Sequence, residues 1–134
     1  MSEALDANVV LRHFTGQPTD LAARATAALT EAPTRSLILT DLTLAEIVYV
    51  LQGVYARPRE EVVHLVEATL SLASISVDNE MLLRRTLEHY GHRSMDWPDA
   101  YLVALVELRN LEGLLSFDRL DAKLAGLDVR RREP

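Results

Sequence analysis

The chain reads as an α/β protein, one domain over residues 1–134 with a central parallel β-sheet of four to five strands flanked by helices. Three observations predict this. Short apolar runs alternate with longer helical patterns, the order expected of βαβ units around a parallel sheet. No internal repeat, low-complexity tract or Pro/Gly/Ser linker divides the 134 residues. A chain of this length suits one domain that buries roughly two thirds of its unfolded surface.

The elements follow in order. Strands are predicted at 4–6, 36–39, 74–77, 113–117 and 127–130. After Asn8, Val10, Leu11 and Phe14 fit one helical face. Residues 19–31 are alanine-rich, follow Pro18 and stop before Pro33, as helices do ahead of a proline. Residues 42–55 are mostly apolar, and their length favours helix over strand. Pro58 suits the first turn of a helix whose apolar face is Val62, Leu65, Val66 and Leu70. Asp78 reads as the N-cap of a helix carrying Leu83, Leu87 and Tyr90, with Gly91 as its stop. Residues 101–108 are apolar almost all round, so that helix is expected to be buried on several sides. A last helix is expected between the final two strands, giving a doubly wound domain with roughly equal halves.

Composition narrows the function. Apolar residues make up 49% and charged residues 25% of the chain, ordinary for a soluble globular protein. No apolar run approaches the roughly 20 residues of a membrane span, and the first residues carry neither a basic nor an apolar leader region. Cytoplasmic residence without membrane association is therefore expected. The absence of cysteine removes disulfides, thiolate metal sites and cysteine nucleophiles. A net charge of −6 argues against a polyanionic partner, yet four of the negative charges are the candidate site acids below. Of the 14 basic residues all but Lys123 are arginine, the side chain best shaped for bidentate phosphate contact. These arginines read equally as a solvated surface.

Four carboxylates stand out. Asp6 in Leu5-Asp6-Ala7-Asn8 ends the first apolar run, where it either caps the following helix or, if Asn8 caps, projects from the strand end. Glu46 lies in Thr43-Leu44-Ala45-Glu46, which matches a capping box, but its neighbours Ala45, Ile47 and Val48 are an unusual setting for a solvated acid. Asp96 and Asp99 in Asp96-Trp97-Pro98-Asp99-Ala100 begin a helix; the dipole accounts for one acid there more readily than two, so Asp96 is expected to cap and Asp99 to face a site. Asp118 follows Leu114-Leu115-Ser116-Phe117, with Asp121 three residues on as a capping pair would be. If these acids meet at one edge of a parallel sheet, their clustered charge calls for a divalent cation. Hard oxygen ligands suit Mg²⁺ or Mn²⁺.

In Leu5-Asp6-Ala7-Asn8-Val9-Val10-Leu11, Glu46 within Leu42-Thr43-Leu44-Ala45-Glu46, Asp96-Trp97-Pro98-Asp99-Ala100 and Ser116-Phe117-Asp118, the chain resembles the PIN-domain ribonucleases, specifically the VapC-like toxins of bacterial toxin–antitoxin pairs. Each motif is short; their order and spacing fit from end to end. The resemblance implies a PIN-like nuclease domain over 1–134 with the first and fourth strands side by side. It implies a Mg²⁺- or Mn²⁺-dependent endoribonuclease in which Asp6, Glu46, Asp99 and Asp118 hold the metal, Asn8 and Ser116 orient carboxylates, and Asp96 helps at longer range. It also implies an RNA substrate, a cognate antitoxin protein and a homodimer. Exposed apolar positions among Val48, Leu51, Val54 and Tyr55 are the expected antitoxin surface. The run before Asp6 is shorter and more polar than the family usually has, and Ser116 stands where threonine is common.

Other chemistry fits less well. Gly91 between His89 and His92 argues against a helical ligand pair, and the scattered glycines form no phosphate loop. Low aromatic content offers no evident base-stacking platform. A receiver domain would need an acidic neighbour beside Asp6 and a lysine after the fifth strand, whereas Lys123 precedes the last strand. A catalytically inactive PIN-like interaction module, or an RNA-processing nuclease without a toxin role, are the alternatives.

Overall fold

A computed structural model describes all 134 residues, Met1–Pro134. Backbone packing divides the chain into two compact units, Met1–Glu80 and Met81–Pro134.

The first unit runs β1 (Glu3–Ala4), α1 (Ala7–Thr15), α2 (Thr19–Glu31), β2 (Leu37–Ile38), α3 (Asp41–Gly53), α4 (Arg59–Leu70) and β3 (Ile75–Ser76). Its three strands pair in the order β1-β2-β3, all parallel, with Glu3 opposite Leu37 and Leu37 opposite Ile75. The α1 helix stops at Gly16, whose φ of 72° is the left-handed value that glycine adopts without strain. Small residues on α2, Ala22 and Ala25, are buried with Leu29 on one face, and this face lets α1 and α2 pack closely. The α3 helix buries Leu44, Ile47, Val48 and Leu51. That i, i+3, i+4, i+7 spacing explains why the Val48-Tyr49-Val50 stretch is helix and not strand. Val62, Val66 and Leu70 do the same for α4, with Pro58 in the cap position and not in the first turn.

The second unit holds α5, which begins at the boundary (Glu80–His92), then α6 (Trp97–Arg109), β4 (Leu114–Leu115) and β5 (Arg131–Arg132). Its core contains Leu83, Leu87, Tyr90, Trp97, Val103 and Val106. The rings of Tyr90 and Trp97 meet edge to face, centroids 5.6 Å apart. β4 and β5 pair in parallel, Leu114 opposite Arg131 and Leu115 opposite Arg132.

The α/β class, the parallel pairing and the order of the six helices thus stand, with the strands in two parallel ladders, β1-β2-β3 and β4-β5, and three expectations are corrected. Residues 121–126 make consecutive turns, so no helix separates the last two strands. The last strand is Arg131–Arg132, not 127–130, because its register is set by the backbone of Gly113 and Leu114 and not by an apolar run. Gly91 lies inside α5; the left-handed residue after that helix is Ser94, with φ of 55°.

Candidate active-site acids

In the first unit, Asp6 is the N-cap of α1. Its backbone is extended, and its Oδ1 accepts a bond from the Asn8 amide at 3.4 Å. The cap is therefore Asp6 and not Asn8, and Asn8 meets the carboxylate through its backbone N–H; no hydrogen bond from the Asn8 side chain orients it. The carboxylate stays exposed, with its second oxygen outside this bond. The capping-box reading of Glu46 is overturned: Thr40 caps α3, accepting from the Thr43 amide at 3.1 Å. Glu46 lies further along the exposed face, between Leu42 and Tyr49, which are 82% and 75% exposed. The helix therefore does not bury Glu46. Val48 and Leu51 are buried in the core and leave the expected docking surface, whereas Val54 and Tyr55 are exposed.

In the second unit, Asp96 stands at the N-cap of α6 without capping through its side chain, and Pro98 occupies the first turn. Asp99, one turn in, is half-buried. Loss of solvent raises its carboxyl above the ordinary 3.8, and the charges of Asp118 and Asp96 raise it further, with Lys123 acting in the opposite direction. Ser116 supports Asp118 through the backbone: its Oγ accepts from the Asp118 amide at 3.0 Å, fixing the turn after β4. Asp121 does not cap. It pairs with Arg131 at 3.1 Å, and Arg131 Nη1 also donates to the Ser116 carbonyl at 2.8 Å. Lys123 and Arg131 are the residues here that sequence reasoning missed, since neither lies in a motif and both are brought here by the crossover that returns the chain from β4 to its parallel neighbour β5. No three His, Asp or Glu side chains converge closely enough to hold a metal ion.

The sequence pattern that defines the PIN domain matches residues 4–127. The chain belongs to the PIN-domain family. A solved structure similar to it is a toxin–antitoxin complex from Klebsiella pneumoniae, 17% identical, covering 95% of this chain and 93% of that one with a TM-score of 0.37. At that score the likeness carries no argument. No curated protein gives a significant match.

The PIN-domain donor set can be tested against a hard divalent cation. Asp99 fits: it is a partly desolvated carboxylate under repulsion from two neighbours, and a bound cation would relieve that repulsion. All four candidate ligands offer carboxylate oxygens, which suit Mg²⁺ or Mn²⁺.

A second charged cluster in this PIN domain lies on α5 and α6. Arg85 clamps Glu107 with two bonds, Nε to Oε1 at 3.0 Å and Nη2 to Oε2 at 2.8 Å, and also reaches Glu88 at 2.8 Å. His89 is buried in α5, with Nε2 2.5 Å from Glu107 Oε1. Burial alone would raise Glu107, but bonds from Arg85 and His89 outweigh it and hold the carboxyl below its ordinary 4.5. An ionised carboxylate accepts only, so His89 donates through Nε2. Every strong group in this cluster is satisfied, which marks it as a brace between helices. His92 is exposed, so the two histidines of α5 do not form a ligand pair.

Proposed function

We propose that the chain is a metal-dependent endoribonuclease, with residues 1–134 acting as one nuclease domain and Asp6, Glu46, Asp99 and Asp118 as the residues that hold Mg²⁺ or Mn²⁺. The observation that carries this reading is Asp99: a half-buried acid, raised by burial and by Asp118 and Asp96, in a chain of the PIN-domain family. When bound, the ion supplies Lewis-acid stabilisation of charge on a phosphodiester. The chain supplies the positioning. Asp6 is held at the start of α1 by its own cap bond, Asp99 by the first turn of α6, and Asp118 by the Ser116 hydroxyl. Asp96 and Lys123 set the charge around Asp99.

The toxin reading adds a cognate antitoxin and a homodimer. Leu42, Tyr49, Val54 and Tyr55 are the exposed apolar side chains at which an antitoxin segment would pack. Val54→Asp is expected to abolish co-purification with a co-expressed antitoxin, and unchanged co-purification would remove this surface from the proposal. The alternative is an inactive PIN-like interaction module.

The deciding experiment incubates partner-free protein with total RNA in Mg²⁺, Mn²⁺ or EDTA, beside Asp6→Asn and Asp99→Asn. Cleavage that needs the ion and disappears in both variants is the expected result. Equal cleavage by the variants would overturn the ligand assignment. Absence of cleavage together with absence of Mn²⁺ binding by calorimetry would establish the inactive module.

A further inference from the structure

We infer that the outer face of the β4–β5 ladder is a binding surface for single-stranded RNA, with Arg130 and Arg132 contacting phosphates and Phe117 stacking on a base. The identity of the nucleic acid rests on the ribonuclease reading; the surface itself rests on the following observations.

Burial alternates along both strands. Leu114 and Val129 are buried, while Leu115, Phe117, Arg130 and Arg132 are exposed, Leu115 at 55% and Phe117 at 71%. The register sets Leu115 beside Arg132, so these two share a face, and the period of two adds Arg130. The same period, carried past the strand end, adds Phe117. Arg131 points elsewhere and is committed to Asp121 and the Ser116 carbonyl. The Arg130-Arg131-Arg132 run is therefore split: one arginine braces the turn, while the outer two use their backbone carbonyls to accept from Leu114 and Ser116 in the ladder and commit neither guanidinium group to a hydrogen bond or ion pair within the chain.

A cavity of about 460 Å³ opens on this face, lined by Glu112, Gly113, Leu114, Leu115, Arg130 and Arg132. Two guanidinium groups face one carboxylate in that lining, so it favours an anion. Gly113 makes the close strand approach possible, since a Cβ there would lie 2.5 Å from the Arg130 carbonyl oxygen.

The mixture of groups selects the ligand. Guanidinium forks match phosphate oxygens two at a time. Arginines two positions apart on a strand repeat at about 6.6 Å, comparable to the step between successive phosphates of an extended strand. An exposed aromatic ring beside them gives an unpaired base a stacking partner, which a duplex would not use. An acidic peptide would satisfy the arginines but leave the ring without a role.

The test is fluorescence anisotropy of the full chain with a labelled, mixed-sequence 12-nucleotide single-stranded RNA, in EDTA so that no turnover intervenes. Arg130→Gln with Arg132→Gln is expected to weaken binding about tenfold and to flatten the dependence of log affinity on log salt by about 1.4 for two lost contacts. Arg130→Lys with Arg132→Lys keeps the slope, which separates charge from any loss of fold. Phe117→Ala weakens binding about tenfold and leaves the slope unchanged. Three results overturn the inference: no RNA binding by the unaltered chain, equal affinity and slope in the double Gln variant, or equally tight binding of a poly-glutamate peptide to the same face. Arginine-dependent binding in a chain that cleaves no RNA with Mn²⁺ would support this surface while removing the nuclease reading. Arginine-independent binding in a chain that does cleave would do the reverse.

Discussion

The two ends of α6 carry acids with opposite histories. Asp99, in the first turn, is partly stripped of water and surrounded by like charge, so its carboxyl is pushed up. Glu107, two turns later, is also partly stripped of water, yet Arg85 and His89 bond to it and pull it down. Desolvation is the leading influence on both, and the neighbours decide the sign. The folded chain gives Glu107 two bonding partners and sets Asp99 near the charges of Asp118 and Asp96, with Lys123 as the opposing charge.

The comparison can be broken by exchanging the two acids' fates. The largest effect expected is on activity: Asp99→Asn should lower metal-dependent RNA cleavage by about 10²–10³-fold, while Glu107→Gln changes it less than about threefold, on the scale of a residue outside the electrostatic centre, when both are assayed well below their melting temperatures. Equal losses would mean that Glu107 belongs to the chemistry or Asp99 does not. Next comes stability. Glu107→Ala leaves Arg85 and the buried His89 without their shared acceptor and should cost about 3 kcal/mol in urea unfolding. Gly113→Ala, which sets a Cβ against the Arg130 carbonyl, should cost about 2 kcal/mol by forcing β5 away from β4.

The pH dependence sharpens the contrast. The folded value of Glu107 is depressed, so its unfolded form takes up a proton first as pH falls; its stabilising contribution is complete above the ordinary 4.5 and lost as pH falls through its folded value. The stability gap between the unaltered chain and Glu107→Gln should therefore narrow below about pH 4.5, and a constant gap would place Glu107 outside the ion pair. Asp99 has the opposite sign in EDTA. Its raised folded value makes the ionised form unfavourable to folding, a penalty that sets in as pH rises through the ordinary 3.8 to that raised value. The smallest effect follows: Asp99→Asn in EDTA should stabilise the chain at pH 7 by about 0.5 kcal/mol, and destabilisation there would show that Asp99 already has a partner.

Much of this was legible in the residues. The α2 helix runs over the residues expected of it, because Pro18 and Pro33 bracket an alanine-rich stretch and local sterics suffice. The acids of the four motifs could be named because turn, cap and strand-end positions have short-range signatures. Caps were harder: Thr40 was missed behind Thr43, since either threonine satisfies the local pattern and only the path of the chain selects one. Gly91 was misread because a glycine late in a helix looks like a stop unless the next turn is seen to continue. The Arg131–Arg132 strand carries no apolar signal at all; it exists because β4 offers it a ladder.

By itself the sequence determined the α/β class, the order of the helices from α1 to α6, the membership in the PIN-domain family and the acids worth testing, all of which depend on residue type and on the order and spacing of short motifs. Tertiary structure alone decided which carboxylates are satisfied. Glu107 meets Arg85 and His89 from the preceding helix, Asp121 meets Arg131 from the next strand, and Asp99 meets Asp118 from beyond β4. The sign of each charge's surroundings comes from residues far away in sequence, and Coulomb interactions and desolvation act through space, not along the chain.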